Sequence, residues 1–167
     1  MRRTFMRHAL ASTGLMLAVS AATAAGSSCE PLAAATMKLG SVASHQTTTY
    51  QHGGKSEVAM EAVVINGVKW MRVGAGSDWD KVTGNAGKGL EELRKADCRY
   101  VRDDSADGEP TAVYEIRHLD GAVGSGVEQM WVSKSSGLPL RIVAGDGNSK
   151  SNAMTRFDYK GVKAPAP

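Results

Sequence analysis

The sequence predicts an α+β domain: a curved antiparallel β-sheet of about eight strands, covered by an N-terminal helix and one helical insert. Short runs rich in Thr, Val, Tyr and Trp recur along the chain, separated by Gly-rich or polar turns. Sequential hairpins of this kind imply a meander in one sheet. Only two segments show helical spacing, and a sheet must bury its apolar side against something.

The first 25 residues stand apart as a signal peptide. Arg2, Arg3 and Arg7 make a basic start, His8 to Val19 is apolar, and Ala22-Thr23-Ala24 or Thr23-Ala24-Ala25 offers a small-x-small cleavage site. The apolar run is shorter than the ~20 residues of a spanning helix, so no stable membrane span is expected after cleavage. Arg2-Arg3-Thr4-Phe5-Met6-Arg7 also fits a twin-arginine motif. Either export route leads to the periplasm of a Gram-negative bacterium. A lipoprotein signal has a Leu-type residue three before its Cys, and Gly26 holds that place before Cys29.

The 20 Lys and Arg outnumber the 17 Asp and Glu only because Arg2, Arg3 and Arg7 belong to the signal. The remaining chain is balanced and has no Lys/Arg cluster, which excludes a nucleic-acid binder. Its length suits a single domain over residues 29–160, with 161–167 as a disordered tail.

The elements follow in order. Pro31 opens a helix over 31–43, with Leu32, Ala35, Leu39 and Val42 on one side. A Thr-rich strand starts at His45. Strands 56–66 and 68–73 flank Asn66-Gly67, the strongest hairpin signal in the chain. Residues 74–79 are a loop, and a helical insert is clearest over 86–96. A strand opens at Cys98, 104–110 is a polar turn, and 111–119 is a strand. Strands 127–133 and 138–144 flank the turn Lys134-Ser135-Ser136-Gly137, and 152–159 closes the sheet. Pro139 fits a strand start, because it has no N–H for a ladder.

An exported chain with two cysteines usually pairs them, so Cys29 and Cys98 are expected as a disulfide; two buried free thiols are the alternative. Nothing points to catalysis. His45, His52 and His118 lack metal-ligand spacing and read as surface residues. Gly84 to Gly89 lacks the Walker spacing. Glu91-Glu92 and Asp103-Asp104 are adjacent, so each pair points apart and reads as a solvated face. No catalytic residue, metal site or cofactor is expected. Met60, Trp70, Met71, Met130 and Trp131 sit on strands expected to neighbour one another, and these residue types suit an adaptable apolar cavity or an ordinary core. Strands 58–65, 68–73 and 127–133 carry apolar residues on both faces, more than two short helices can cover.

Met130-Trp131-Val132-Ser133-Lys134 through Gly137-Leu138-Pro139-Leu140-Arg141 resembles a hairpin common to the LolA-type periplasmic lipoprotein carriers. Its pattern is Trp, Ile or Val, Asp or Ser, Lys, any residue, Ser or Thr, Gly, Leu, Pro, Leu. The helix before a Thr-rich strand, Asn66-Gly67 with Trp70 just after it, and the closing Arg156-Phe157-Asp158-Tyr159 strand are similar too. The resemblance implies a half barrel closed by helices. It also implies a non-enzymatic binding protein for an apolar ligand, a lipid or lipoprotein acyl chain, in the concave face. An envelope protein-interaction module is the second expectation.

Overall fold

A computed structural model describes residues 29–52, 54–83, 87–119, 127–145 and 151–165. The signal segment lies outside them. The elements are α1 (Glu30–Leu39), β1 (Ser44–His52), β2 (Lys55–Ile65), β3 (Val68–Val73), β4 (Asp80–Val82), α2 (Gly87–Arg94), β5 (Ala96–Ala106), β6 (Glu109–His118), β7 (Val127–Ser133), β8 (Pro139–Gly145) and β9 (Ser151–Asp158). They form one antiparallel sheet in the order β4-β3-β2-β1-β9-β8-β7-β6-β5. Two meanders, β1–β4 and β5–β9, are zipped together by the pairing of β1 with β9. The sheet stays open, a half barrel with β4 and β5 as its edges.

The sheet has one strand more than expected. Asp80–Val82 pairs with Lys69 to Met71 of β3, and three residues are too few to show a period in sequence. The turn expected over 104–110 is shorter. Asp107 and Gly108 alone make it, with φ of 53° and 82°, so β5 runs on to Ala106. Asn66 and Gly67 link β2 and β3 in the same way, with φ of 51° and 75°. β5 has eleven residues and, among the described residues, no partner on one side. Its exposed Arg99, Arg102 and Asp103 blunt that edge against pairing with another chain.

The helix expected over 31–43 stops at Leu39, where Gly40 caps it and the Ser41 hydroxyl donates to the Lys38 carbonyl at 2.8 Å. Leu32 and Ala35 of α1 and Leu93 of α2 bury themselves against Cys98, Ile116, Met130 and Val132 of the sheet. A second cluster of Ala106, Val113, Trp131 and Leu140, flanked by Val143 and Tyr159, occupies the opposite face. It accounts for the apolar residues on both sides of β7. A bulge helps: Trp131 opposes Arg141 while Val132 opposes Pro139, so Leu140 is the extra residue and turns to the Trp131 side.

Cys29 and Cys98 form the expected disulfide, with Cα atoms 5.0 Å apart across a sequence separation of 69. It ties the start of α1 to β5. The Lys134–Gly137 turn fixes the other end of the helix, since Lys38 donates its ammonium to the Ser136 carbonyl. Within the turn the Ser133 hydroxyl accepts from the Ser136 N–H at 2.9 Å and donates to Glu109. The conspicuous hairpin of the sequence is thus a clamp that seats α1 on the sheet.

Candidate functional site

A cavity of about 370 Å³ lies between the two helices and the sheet. Side-chain alternation on each strand selects its walls. β7 sends Met130 and Glu128 inward, β6 sends Ile116 and His118, β9 sends Thr155 and Phe157, and β1 and β2 add Gln46, Thr48 and Met60. Leu39 of α1 and Leu93 of α2 close it from above, and Pro139 and Ile142 of β8 complete the floor. Its walls combine aliphatic and thioether side chains with an equal number of polar residues. Thr48 and Thr155 satisfy one another through their hydroxyls at 2.9 Å.

Two other polar residues in the wall are not satisfied in this way. Among the described residues, the His118 ring nitrogens and one carboxyl oxygen of Glu92 are buried without a hydrogen-bond partner. Glu128 approaches His118 Nε2 to 3.7 Å, beyond hydrogen-bond length. Among the described residues, no three His, Cys, Asp or Glu are placed to hold a metal ion.

The opposite face holds two polar depressions, each with an internal ion pair. Arg99 donates twice to Glu115, at 3.0 and 2.9 Å. Glu61 accepts from Arg72 and lies 3.2 Å from His45. The Arg72 guanidinium also stacks over the Trp79 ring at 4.7 Å. Of the tail, residues 161–163 and Pro165 line the depression beside His45, Arg72 and Trp79.

No family model matches the chain, and no curated protein matches it. Solved structures do. The structure of the Pseudomonas aeruginosa MucA/MucB complex superposes with a TM-score of 0.54 at 11% identity, over 81% of this chain and 58% of that chain. LprF from Mycobacterium bovis gives 0.50 at 14% identity, over 83% of this chain and 95% of that one. MucB in complex with MucA(peri) gives 0.50 at 16% identity, over 82% and 56%. The chain spans a little over half the length of the chains matched in the two MucA–MucB complexes. The open antiparallel sheet, its two helices and the β7–β8 hairpin stand where the sequence resemblance placed them.

The fold is LolA-like.

Within this LolA-like sheet the five cavity residues expected from the sequence do not come together. Met60 and Met130 line the cavity. Met71 opposes Ala62 and so shares the helix-covered face, but it lies on β3, outside the cavity wall. Trp70 opposes Val63 and shares the other face. Trp131 is buried in the second cluster, where its indole N–H donates to Asp104 at 3.0 Å and Arg141 stacks on its ring at 4.1 Å. Two facts of geometry separate them. Neighbours in sequence such as Trp70-Met71 and Met130-Trp131 must point apart. And β7 is not adjacent to β2 or β3, because β1, β9 and β8 intervene.

The histidine expectation also needs correcting. His118 is not a surface residue: its side chain is only 8% exposed. It follows Tyr114 and Ile116 on the inward face of β6, an alternation that was present in the sequence. Glu92, expected on a solvated face, is half-buried in the same wall. Among the described residues, no helix is long and apolar enough to cross a membrane.

Proposed function

We propose that this chain is an exported, non-enzymatic binding protein of the bacterial periplasm, and that it takes an apolar ligand, a lipid or acyl chain, into the cavity under its helices. The cavity itself carries the proposal. Its volume falls at the lower end of the ~300–1,000 Å³ of ligand pockets, and it is built as they are, from apolar side chains with convergent polar groups. Met60 and Met130 supply adaptable wall, since a thioether repacks easily around chains of different shape. Burial of an acyl chain there is worth about 25 cal/mol per Å² of apolar area. The basic and apolar start of the sequence, its cleavage site and the disulfide support export.

The test is displacement of a fluorescent neutral probe, N-phenyl-1-naphthylamine, by single-chain lipids, together with mass spectrometry of gently purified protein. Saturable displacement and a co-purifying lipid are expected. A surface that releases the probe to no lipid, from protein carrying none, would end this reading.

A second reading, an envelope protein-interaction module, is favoured by one comparison: MucB, which shares the fold, is seen in complex with MucA(peri). A co-purifying polypeptide in place of lipid would select it.

A further inference from the structure

The unpaired polar groups in the cavity wall indicate the kind of head group that belongs there, an inference that rests on the ligand-binding reading above. His118 reaches the wall from β6 with more than nine-tenths of its side chain buried. Among the described residues, neither ring nitrogen has a hydrogen-bond partner. Glu128 from β7 stands 3.7 Å from Nε2, close enough to share a guest and too far to bond directly. Glu92 from α2 adds a buried, unpartnered carboxyl oxygen to the same wall.

Buried polar atoms are almost always paired in folded proteins, so two residues with unpaired buried atoms in one cavity, His118 and Glu92, with Glu128 beside them, call for a partner from outside. On the opposite face the charged pairs are matched, Arg99 with Glu115 and Arg72 with Glu61, although Thr111 Oγ1 and Arg141 Nε are buried there without a partner. The chemistry of the three groups limits what fits. Carboxylate oxygens only accept hydrogen bonds, and a neutral imidazole accepts through one of its nitrogens. Among the described residues, no Lys or Arg lines the cavity. An anionic head would face two carboxyl groups with no cation among the described lining residues to offset them. A head that carries N–H or O–H would meet the carboxylate oxygens and the accepting nitrogen of His118.

We propose that the cavity takes a single-chain amphiphile whose head group donates hydrogen bonds, an ammonium or a hydroxyl, held among Glu92, His118 and Glu128, and that it discriminates against an anionic head. The volume fits one chain better than several.

The full exported chain is loaded with N-phenyl-1-naphthylamine and titrated with dodecylammonium, 1-dodecanol, dodecanoate and dodecyltrimethylammonium, each below its micelle concentration. Dodecylammonium and dodecanol should displace the probe at concentrations at least about tenfold lower than dodecanoate, because a site built for a donor rejects an analogue without one. Dodecyltrimethylammonium keeps the charge and lacks the N–H, and should be weaker than dodecylammonium by a similar factor. In the Glu92→Gln, Glu128→Gln double variant, which keeps side-chain shape, dodecanoate should come within about threefold of dodecylammonium. Each single variant reads the same contrast if the double variant folds poorly, and the wild-type comparison needs no variant. Dodecanoate binding as tightly as dodecylammonium to the wild type overturns the head-group inference and leaves the cavity reading intact. Equal binding of the two cations overturns the donor requirement. An unchanged preference in every Glu→Gln variant removes these residues from the site. Displacement by none of the four overturns both readings.

Discussion

Trp131 and Asp104 are joined across three strands, indole N–H to carboxylate at 3.0 Å, on the face of the sheet that looks away from the cavity. The contact makes Trp131 a structural residue. Loss of so large a buried side chain costs roughly 3–5 kcal/mol, so Trp131→Ala should lower the urea midpoint sharply. Its effect on affinity for an apolar probe should stay below about threefold, since the sheet separates the two faces and distant sites act additively. Urea unfolding and probe titration on the same variant check this. A large loss of affinity with little loss of stability would place Trp131 in the site after all.

The same carboxyl gives the fold an acid limb. Asp104 is held below the ordinary carboxylate value, first by the Trp131 indole, then by the Ser105 N–H and Arg102. Glu109 is lowered chiefly by the Ser133 hydroxyl and then by that of Ser135. A carboxyl lowered in the folded state binds fewer protons there than in the unfolded chain. Its contribution is complete above the unfolded value, about 4, and is lost as pH falls through the lower folded value. Thermal midpoints should therefore drop below about pH 4, and Asp104→Asn should make that drop shallower. Identical slopes for the two proteins would exclude Asp104 from the acid limb.

The β7–β8 turn should separate its serines by burial. Ser133 is buried and serves both Glu109 and the Ser136 N–H, whereas Ser135 is exposed. Ser133→Ala leaves the half-buried Ser136 N–H without its acceptor and should cost about 1–3 kcal/mol. Ser135→Ala should cost less than about 0.5 kcal/mol, as surface changes do. Gly137 has φ of 68°, so Gly137→Val should cost more than about 1 kcal/mol. Urea midpoints that rank Ser135→Ala below Ser133→Ala in stability would refute this account of the turn.

The disulfide should be complete and worth measuring. Protein recovered from the periplasm should show no reactive thiol, and Cys98→Ser should cost roughly 2–5 kcal/mol, because the bridge closes 69 residues and Cys98 lies fully buried against Leu32 and Ile116. Thiols that react with a probe without reductant would contradict it.

What the sequence made legible was local. Asn66-Gly67, the Lys134–Gly137 turn and Pro139 name their own backbone geometry, so strands on either side of them could be placed. Asp80–Val82 was too short to show a period. The cavity needed information that local pattern does not carry. Met60 opposes Thr48, and Met130 reaches the same hollow only because β1 pairs β9 across more than a hundred residues. His118 was half legible. Alternation along β6 puts it beside Ile116, but Glu92 and Glu128 reach the same wall through the packing of α2 and the pairing of β7.

Met60 offers the cleanest test of the cavity. It is half-buried on β2 and lines the hollow, so its side chain borders empty space as well as neighbours. Inserting bulk into a packed core strains it by about 1–3 kcal/mol, but bulk directed into a void meets no such resistance. Met60→Trp should therefore fill part of the 370 Å³ and leave the urea midpoint within about 0.5 kcal/mol of wild type, or raise it. Trp also suits a strand, so the backbone should tolerate it. Apolar probe affinity should fall by about tenfold or more, which corresponds to at least 1.4 kcal/mol of lost binding. The new indole would report on the cavity directly, with emission that the probe quenches in any residual complex. Together with Trp131→Ala, this makes a crossed pair: one variant loses stability and keeps binding, the other keeps stability and loses binding. Met60→Trp protein that binds the probe with wild-type affinity would show that ligand does not enter between α1, α2 and the sheet.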